Sequence, residues 1–223
     1  MKEEKIKRTK TPWPTRMAMD QVYEKNLWGG NSSPFYSGDG SHDLHIVTPY
    51  INAVTSFLKS FEESITVCDL GCGDFNIGKQ LLPYVKKYEA VDIVNDLIEY
   101  NKANFKQDNL EFHCLDIAVD PLPAANCVIV RQVLQHLSNH EVSSIVRKLQ
   151  IYKYVILTEH LPDEDFIANK DIISGQGIRL KKKSGTILTD APFNFKVKKE
   201  TLLIRTTLEP GKGVIVTWLY EVY

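Results

Sequence analysis

The chain of 223 residues lacks several features that would assign a protein to a specialised class. Its four cysteines include no C-x-x-C pair and no companion histidine at zinc spacing, so neither a zinc site nor any other metal site is expected. No apolar run approaches the roughly 18 residues of a membrane span, and the amino terminus lacks the apolar core of a signal peptide. We therefore expect a reduced, cytoplasmic protein without a membrane span.

An excess of charge of one sign is also missing. Lysine and arginine total 27 against 28 for aspartate and glutamate, so no global field would attract nucleic acid or an acidic membrane. A small or locally recognised partner is expected, and the oligomeric state is not predicted. Basic residues are concentrated in residues 1–16, which we interpret as a mobile arm preceding a single domain over residues 17–223.

Short apolar runs alternate with amphipathic segments between Ile65 and Glu159. Strands separated by helices predict right-handed crossovers and a doubly wound α/β domain with a mostly parallel sheet and helices on both faces. The predicted strands are ITVCD, YEAVDI, LEFHCLD, NCVIVR and YKYVILTE. The predicted helices start at the cap Thr48 with Pro49 in the first turn, run across Ile77–Val85 and Leu97–Phe105, and follow a capping box of Ser138 and Glu141.

The ends of the domain follow a different pattern. The runs ETLLIRTTL and GVIVTWLYEV, joined by a turn at 209–212, predict an antiparallel hairpin at the sheet edge. Residues 17–43 are expected to form a loop-rich lead-in, and residues 160–198 show no strong helical period. Long irregular segments in a compact domain are commonly functional, so both are predicted to form the cap and acceptor site.

The stretch VCDLGCGDFNIGKQ, residues 67–80, carries the strongest ligand-binding signal. A triphosphate loop would need serine or threonine after Gly78 and Lys79, but Gln80 stands there, and Asp69 and Asp74 would repel phosphate. A dinucleotide turn would need a third glycine where the chain has asparagine, although Asp92 is at the right distance for a ribose. A nicotinamide-dependent oxidoreductase therefore remains one alternative.

S-adenosylmethionine fits the acidic residues better because it carries a sulfonium and an ammonium group. Asp69 at the end of the first strand would attract these cations, and Gly71 and Gly73 would let the backbone approach the ligand closely. Asp92 would accept hydrogen bonds from the ribose. Asp116 would accept from the adenine amino group while Ile117 packs on the ring.

These motifs occur in the order and at the spacing of one known family. D-L-G-C-G at 69–73, V-D-I at 91–93, L-D-I at 115–117 and R-Q-V-L-Q-H-L at 131–137 resemble the successive motifs of the class I S-adenosylmethionine-dependent methyltransferases. The resemblance covers residues 44–158. It implies a seven-stranded sheet of order 3-2-1-4-5-7-6 whose last-numbered strand is antiparallel, with S-adenosylhomocysteine as the product. The cofactor-binding residues that follow from the residues and the resemblance are Asp69, Gly71, Cys72, Gly73, Asp92, Ile93, Asp116, Ile117, Arg131 and Gln132.

The nature of the methyl acceptor is less well defined. The position after the fourth strand lacks the [N/D]-P-P-[Y/F] motif of methyltransferases acting on base amino groups, and the chain has no Pro-Cys nucleophile for cytosine C5. We therefore expect a small-molecule or sugar acceptor rather than nucleic acid, methylated on oxygen or nitrogen by in-line displacement. A non-catalytic protein that binds S-adenosylmethionine or S-adenosylhomocysteine is the other alternative.

Five residues that are not among the predicted cofactor-binding residues are candidates for the acceptor site. His136 could be a general base, although a histidine between leucines is more often a packed or hydrogen-bonded structural residue. The remaining four are predicted to form walls of the acceptor pocket, with the arginine suited to a carboxylate or phosphate. They are Trp28, Tyr36, Arg179 and Phe193.

Overall fold

A computed structural model describes residues 12–30 and 34–223 of the chain. In the described residues, seven strands and five α-helices alternate along most of the sequence. The strands are β1 (Thr66–Leu70), β2 (Lys87–Asp92), β3 (Leu110–Cys114), β4 (Cys127–Arg131), β5 (Tyr154–Leu161), β6 (Lys199–Thr207) and β7 (Val214–Glu221). The helices are α1 (Thr15–Glu24), α2 (Leu44–Leu58), α3 (Gly78–Leu81), α4 (Asn95–Asn104) and α5 (Asn139–Leu149).

All seven strands form one sheet in the order β3-β2-β1-β4-β5-β7-β6. The first five strands are parallel to one another, whereas β7 is antiparallel to both β5 and β6. The predicted sheet order and the antiparallel terminal hairpin are therefore confirmed. Because the strand order reverses between β1 and β4, a crevice opens beyond the carboxyl ends of these strands, where α/β proteins bind ligands.

Hydrophobic clusters cover both faces of the sheet. On one face α5 buries Val142, Ile145 and Leu149, and the predicted capping box between Ser138 and Glu141 starts this helix. On the other face α2 buries Val54 and Leu58 against the sheet. The apolar stripes predicted from the sequence thus hold the two helix layers in place.

Helix α2 begins earlier than predicted. Its N-cap is Asp43, whose carboxylate accepts a hydrogen bond from the backbone N–H of His45 at 2.9 Å, and Pro49 lies inside the helix instead of at its start. The extra turn buries Ile46 and Val47, and this burial outweighs the one backbone hydrogen bond that proline cannot donate.

Helix α3 is shorter than predicted and stops at Leu81, where Pro83 converts the chain to a 3-10 turn over Leu82–Tyr84. The lead-in, predicted to be loop-rich, also contains a helix that was not predicted, because α1 occupies Thr15–Glu24. Part of the predicted basic arm, residues 1–11, lies outside the described residues, and Thr15 and Arg16 belong to α1. No helix in residues 12–30 or 34–223 is long and apolar enough to cross a membrane.

Candidate functional site

A cavity of about 360 Å³ opens at the carboxyl ends of β1, β2 and β4. Its floor is the turn after β1, and the segments after β2, β3 and β4 form its sides. The lead-in helix α1 and residues 176–178 of the irregular segment close over it. Nine of the ten predicted cofactor residues border this one cavity, namely Gly71, Cys72, Gly73, Asp92, Ile93, Asp116, Ile117, Arg131 and Gln132.

The turn after β1 needs glycine at two positions for different steric reasons. Gly71 has φ +80°, and a Cβ there would lie 2.3 Å from Cγ2 of Val133. Gly73 has φ +54°, and a Cβ there would lie 2.3 Å from Oγ of Ser37. The glycines therefore let the backbone pass close to β4 and to the lead-in while its surface faces the cavity.

Alanine at Gly71 is expected to weaken binding of the cofactor by roughly tenfold to a hundredfold, because the methyl group displaces Val133 and strains the turn. Calorimetric titration with S-adenosylhomocysteine measures the change. Gly211→Ala is the matched control, since Gly211 has φ +77° but no atom within 4 Å of the added Cβ. Equal affinity in both variants would contradict a close fit at this turn.

Asp92 organises the turn as well as facing the cavity. One carboxylate oxygen accepts the N–H of Gly73 and the other that of Val94, each at 3.1 Å. Burial raises the pKa of Asp92, and these two hydrogen bonds oppose the increase. Each oxygen keeps a lone pair, so the carboxylate can accept two hydroxyl protons from a ligand in the cavity.

The segment after β3 supplies the opposite wall. Asp116 accepts the N–H of Ala118 at 2.9 Å, and its own N–H donates to Asp120 at 2.8 Å. Ile117 lies beside it at the cavity edge and packs into the main cluster on the α5 face. An acidic side chain and an apolar side chain therefore lie next to each other at this wall of the cavity.

Asp69 does not border the cavity, contrary to its predicted role as a direct attraction for the ligand. Its carboxylate lies on the face of the sheet that α2 covers and accepts a hydrogen bond from the hydroxyl of Tyr88 at 2.8 Å. Burial raises its pKa to about 6. Asp74, the other acid thought to attract a cation, is bound instead to His42 at 2.6 Å and to the N–H of Ser37. The two acids support the turn and the lead-in from outside the cavity.

Arg131 borders the cavity, but its guanidinium is directed at the lead-in. It donates to the carbonyl of Gly40 and to Oγ of Ser41, and it lies 4.7 Å from the ring centre of Tyr50. Its contribution is thus to hold the lead-in against β4. The next residue, Gln132, turns its amide into the same region with φ +56°.

His136 borders the cavity in the 3-10 turn Leu134–His136 that follows β4. Its Nδ1 lies 3.2 Å from the carbonyl of Gly175, while the N–H of Gly175 donates to the His136 carbonyl at 3.0 Å. A carbonyl accepts only, so Nδ1 carries the proton and Nε2 keeps its lone pair. Burial lowers the pKa of His136 to about 4. The imidazole is therefore neutral near pH 7.

Of the four predicted wall residues, only Trp28 borders the cavity. Tyr36 stacks on His42 and donates to Asp39, outside the cavity. Phe193 is buried in the main cluster on the α5 face. Arg179 is 1% exposed and donates to the carbonyls of Leu134 and Leu137 at 2.6 and 2.7 Å. The predictions for Tyr36, Arg179 and Phe193 as wall residues were therefore wrong.

Several cavity residues were missed in the sequence. Thr15 and Met19 come from α1, whose helical pattern is weak next to the glycines that follow. Gln135 lies inside the motif R-Q-V-L-Q-H-L, so its position in the motif was the signal that could have identified it as a cavity residue. His160 lies near the carboxyl end of β5, Lys181 lies in the irregular segment after it, and both border the cavity. Position alone, near the carboxyl end of a parallel strand, was the available signal for His160.

Outside the cavity, three side chains on β2 and β3 could together approach a metal ion. They are Glu89, Glu111 and His113. The ammonium of Lys87 already lies 2.5 Å from one oxygen of Glu89 and 2.8 Å from Glu111, while His113 contacts the other oxygen of Glu89. An ion-pair network accounts for this group.

Comparison with known proteins gives a family match for the central part of the chain. The family model described as a methyltransferase domain matches residues 67–151, from β1 to the end of α5. No curated protein sequence matches the chain. Over nearly the whole chain, the structure superposes on that of the N-methyltransferase NodS from Bradyrhizobium japonicum in complex with S-adenosylhomocysteine, with a TM-score of 0.66.

The chain has the class I S-adenosylmethionine-dependent methyltransferase fold. The NodS comparison covers 92% of this chain and 98% of that one at 10% identity. Magnesium protoporphyrin IX methyltransferase from Synechocystis with bound S-adenosylmethionine gives a TM-score of 0.61 at 14% identity, covering 96% and 100%. Human N-acetylserotonin methyltransferase gives 0.56 at 17% identity, covering 94% of this chain and 60% of that one. These enzymes differ in acceptor, so the likeness establishes the fold and not the substrate.

Proposed function

We propose that the protein is an S-adenosylmethionine-dependent methyltransferase that acts on a hydroxyl group of a small-molecule or sugar acceptor. The observation that carries the proposal is the convergence of the Gly71–Gly73 turn, Asp92 and Asp116–Ile117 on one cavity within a methyltransferase fold. The turn would face the methionine part of the cofactor, Asp92 the ribose, and Asp116 with Ile117 the adenine.

The choice of oxygen as the acceptor atom rests on His136. A hydroxyl must lose its proton during or after methyl transfer, and a neutral imidazole with a free Nε2 can take it. The Nε2 atom contacts the amide nitrogen of Gln135 at 3.4 Å, a distance too long for a strong hydrogen bond. A hydroxyl group that enters the cavity could replace this weak contact and donate its proton to Nε2.

The reaction would be an in-line displacement. The acceptor oxygen attacks the methyl carbon, the carbon–sulfur bond breaks, and its electron pair neutralises the sulfonium to give S-adenosylhomocysteine. The hydroxyl proton moves to Nε2 of His136. The main contribution of the protein is to hold the oxygen opposite the sulfur in a near-attack geometry.

The outer end of the cavity suits a polar ring compound. Trp28 offers an indole face, and His160 and Gln176 offer hydrogen-bonding groups. Lys181 is a cation for which the described residues provide no ion-pair partner, so it could bind an acidic group on the acceptor. A sugar has a ring that can stack on the indole and hydroxyl groups that can form hydrogen bonds. A uronic acid or a sugar phosphate also has the acidic group that Lys181 could bind.

The proposal is tested in two stages. Calorimetry with S-adenosylmethionine and S-adenosylhomocysteine should give micromolar binding, and no binding by the unmodified protein would overturn the proposal. Radiolabelled methyl transfer is then measured with hexoses, hexuronic acids, hexose phosphates, phenols and amines. Labelled product supports an enzyme, whereas binding without transfer to any of them favours the non-catalytic alternative. Binding of a nicotinamide cofactor instead would favour an oxidoreductase.

A further inference from the structure

Glu141, near the start of α5, joins three separate parts of the chain. Its Oε1 atom accepts a hydrogen bond from the hydroxyl of Thr15, the first residue of α1. Its Oε2 atom accepts from the hydroxyl of Ser138, the N-cap of α5, at 2.6 Å, and from that of Ser174 in the irregular segment. A capping box needs only the contacts with Ser138, so the contacts with Thr15 and Ser174 are additional to it.

The carboxylate of Glu141 is charged and belongs to the rigid part of the fold. Burial raises its pKa, but the hydrogen bonds from the three hydroxyls outweigh burial and hold the pKa below its usual range. Hydrogen bonds to an ionised acceptor are roughly twice as strong as those between neutral groups. Helix α5 is anchored on the sheet by Val142, Ile145 and Leu149, so these bonds connect α1 and the irregular segment to the core.

The two segments that Glu141 connects to the core are those that cover the cavity. Thr15 of α1 and Gln176 of the irregular segment border the cavity, and so does Asp92. The amide of Gln176 also donates to the carbonyl of Leu27 at 2.9 Å, which joins the irregular segment to the chain that follows α1. A cofactor bound at Asp92 would therefore lie beside both segments, and its release is expected to depend on how firmly they are held.

We propose that Glu141 is a positioning residue that holds α1 and residues 174–178 over the bound cofactor, and that it thereby slows the release of S-adenosylmethionine and S-adenosylhomocysteine. This inference rests on the cofactor site of the proposed function and is independent of the acceptor. Glu141 borders the cavity, but its oxygens accept from protein hydroxyls, so its effect is transmitted through Thr15 and Ser174. Loss of either bond would loosen one covering segment while Asp92 and the glycine turn stay unchanged.

Valine in place of Thr15 removes the hydroxyl donor and keeps the shape of the side chain. We expect the dissociation rate constant of S-adenosylhomocysteine to rise about 10-fold and the association rate constant to change by less than about threefold, because lost contacts act mainly on dissociation. Stopped-flow tryptophan fluorescence measures both constants, since Trp28 borders the cavity. Thr15→Ser keeps the hydroxyl and should release the ligand as slowly as the unmodified protein. Thr48→Val, at an exposed position in α2, is the matched control and should leave both constants unchanged.

Methionine in place of Glu141 tests whether Thr15 acts through the carboxylate. Methionine has a similar length and offers only a weak acceptor, so we expect release at least about 10-fold faster than in the unmodified protein. In the Glu141→Met background, Thr15→Val should change the dissociation rate constant by less than about twofold, since the hydroxyl has already lost its partner. All variants are compared at a temperature at which circular dichroism shows them to be folded, so that a general loss of stability does not affect the rates.

The results separate this inference from the function on which it rests. If the unmodified protein binds S-adenosylhomocysteine and Thr15→Val releases it no faster, the inference is overturned and the cofactor site stands. Equally fast release by Thr15→Ser and Thr15→Val would also overturn it, because the hydroxyl would then not be the cause. A full effect of Thr15→Val in the Glu141→Met background would overturn the role of Glu141. Absence of binding by the unmodified protein would overturn both the inference and the proposed function.

Discussion

Alanine in place of Asp92 is expected to weaken binding of S-adenosylmethionine and S-adenosylhomocysteine at least about 100-fold. In the structure the carboxylate faces the cavity while its oxygens hold the N–H groups of Gly73 and Val94. The substitution would remove the two hydrogen bonds that we propose for the ribose, and it also releases the glycine turn. Each bond from a charged group contributes about 1.5 to 3 kcal/mol, so their joint loss accounts for the size of the effect.

Calorimetric titration of the Asp92→Ala variant measures this loss directly. Asp92→Asn is the informative second variant, because one amide oxygen can still accept while the negative charge is removed, and we expect an intermediate affinity. Asp96→Ala is the matched control, since Asp96 is an exposed acid in the first turn of α4. Unchanged affinity in the alanine variant, with the fold intact by circular dichroism, would remove Asp92 from the cofactor site.

The sequence could predict the fold and the floor of the cavity because both depend on local rules. Apolar runs in the sequence identify the positions of the strands. Because the strands are parallel, the residues at their carboxyl ends all lie at one edge of the sheet. For that reason Gly71, Asp92 and Asp116 border one cavity although they are far apart in the chain. The positions after parallel strands are set by topology and need no knowledge of side-chain packing.

The direction of side chains within the strands and in the irregular segments could not be predicted in this way. Asp69 belongs to β1 itself, and its side chain points to the face of the sheet that α2 covers, toward Tyr88, rather than into the turn. A shift of one residue along a strand reverses the face to which a side chain points. Asp69 was recognised as part of the motif. Whether its side chain faces the cavity depends on the alternation of side chains between the two faces of β1, which the motif does not give.

Arg179 illustrates the same limit in the segment after β5. Its charge suggested an anionic ligand. The guanidinium instead donates hydrogen bonds to three oxygens of the protein, the backbone carbonyls of Leu134 and Leu137 and the side-chain oxygen of Asn139. Those partners lie some 40 residues earlier in the chain and belong to the turn that carries His136. Arginine can satisfy carbonyl groups of a buried turn as well as it can bind a carboxylate, and only the tertiary structure distinguishes the two.

Glutamine in place of His136 is expected to lower kcat for a hydroxyl acceptor by about 10²- to 10⁴-fold while the Kd for S-adenosylhomocysteine changes little. Because burial lowers the pKa of His136 to about 4, the imidazole of the unmodified protein stays neutral well below pH 6.5. We therefore expect kcat/KM at pH 5.5 to be close to its value at pH 7.5. A base with the ordinary pKa of about 6.5 would lose about nine-tenths of its activity over that interval.

The same pKa predicts a change in stability that does not depend on the acceptor. The native state holds His136 neutral, whereas the unfolded chain binds a proton below about pH 6.5, so this contribution to stability is present above pH 6.5 and is lost as the pH falls toward 4. The Tm of the unmodified protein should therefore fall more between pH 7 and pH 5 than that of His136→Gln. The Tm of His140→Gln, a substitution at an exposed position in α5, should fall as much as that of the unmodified protein.

Each prediction for His136 has an outcome that would contradict it. Full activity in His136→Gln would mean that positioning of the acceptor is sufficient for methyl transfer. An equal fall of the Tm in His136→Gln and in the unmodified protein would mean that the histidine is not held neutral.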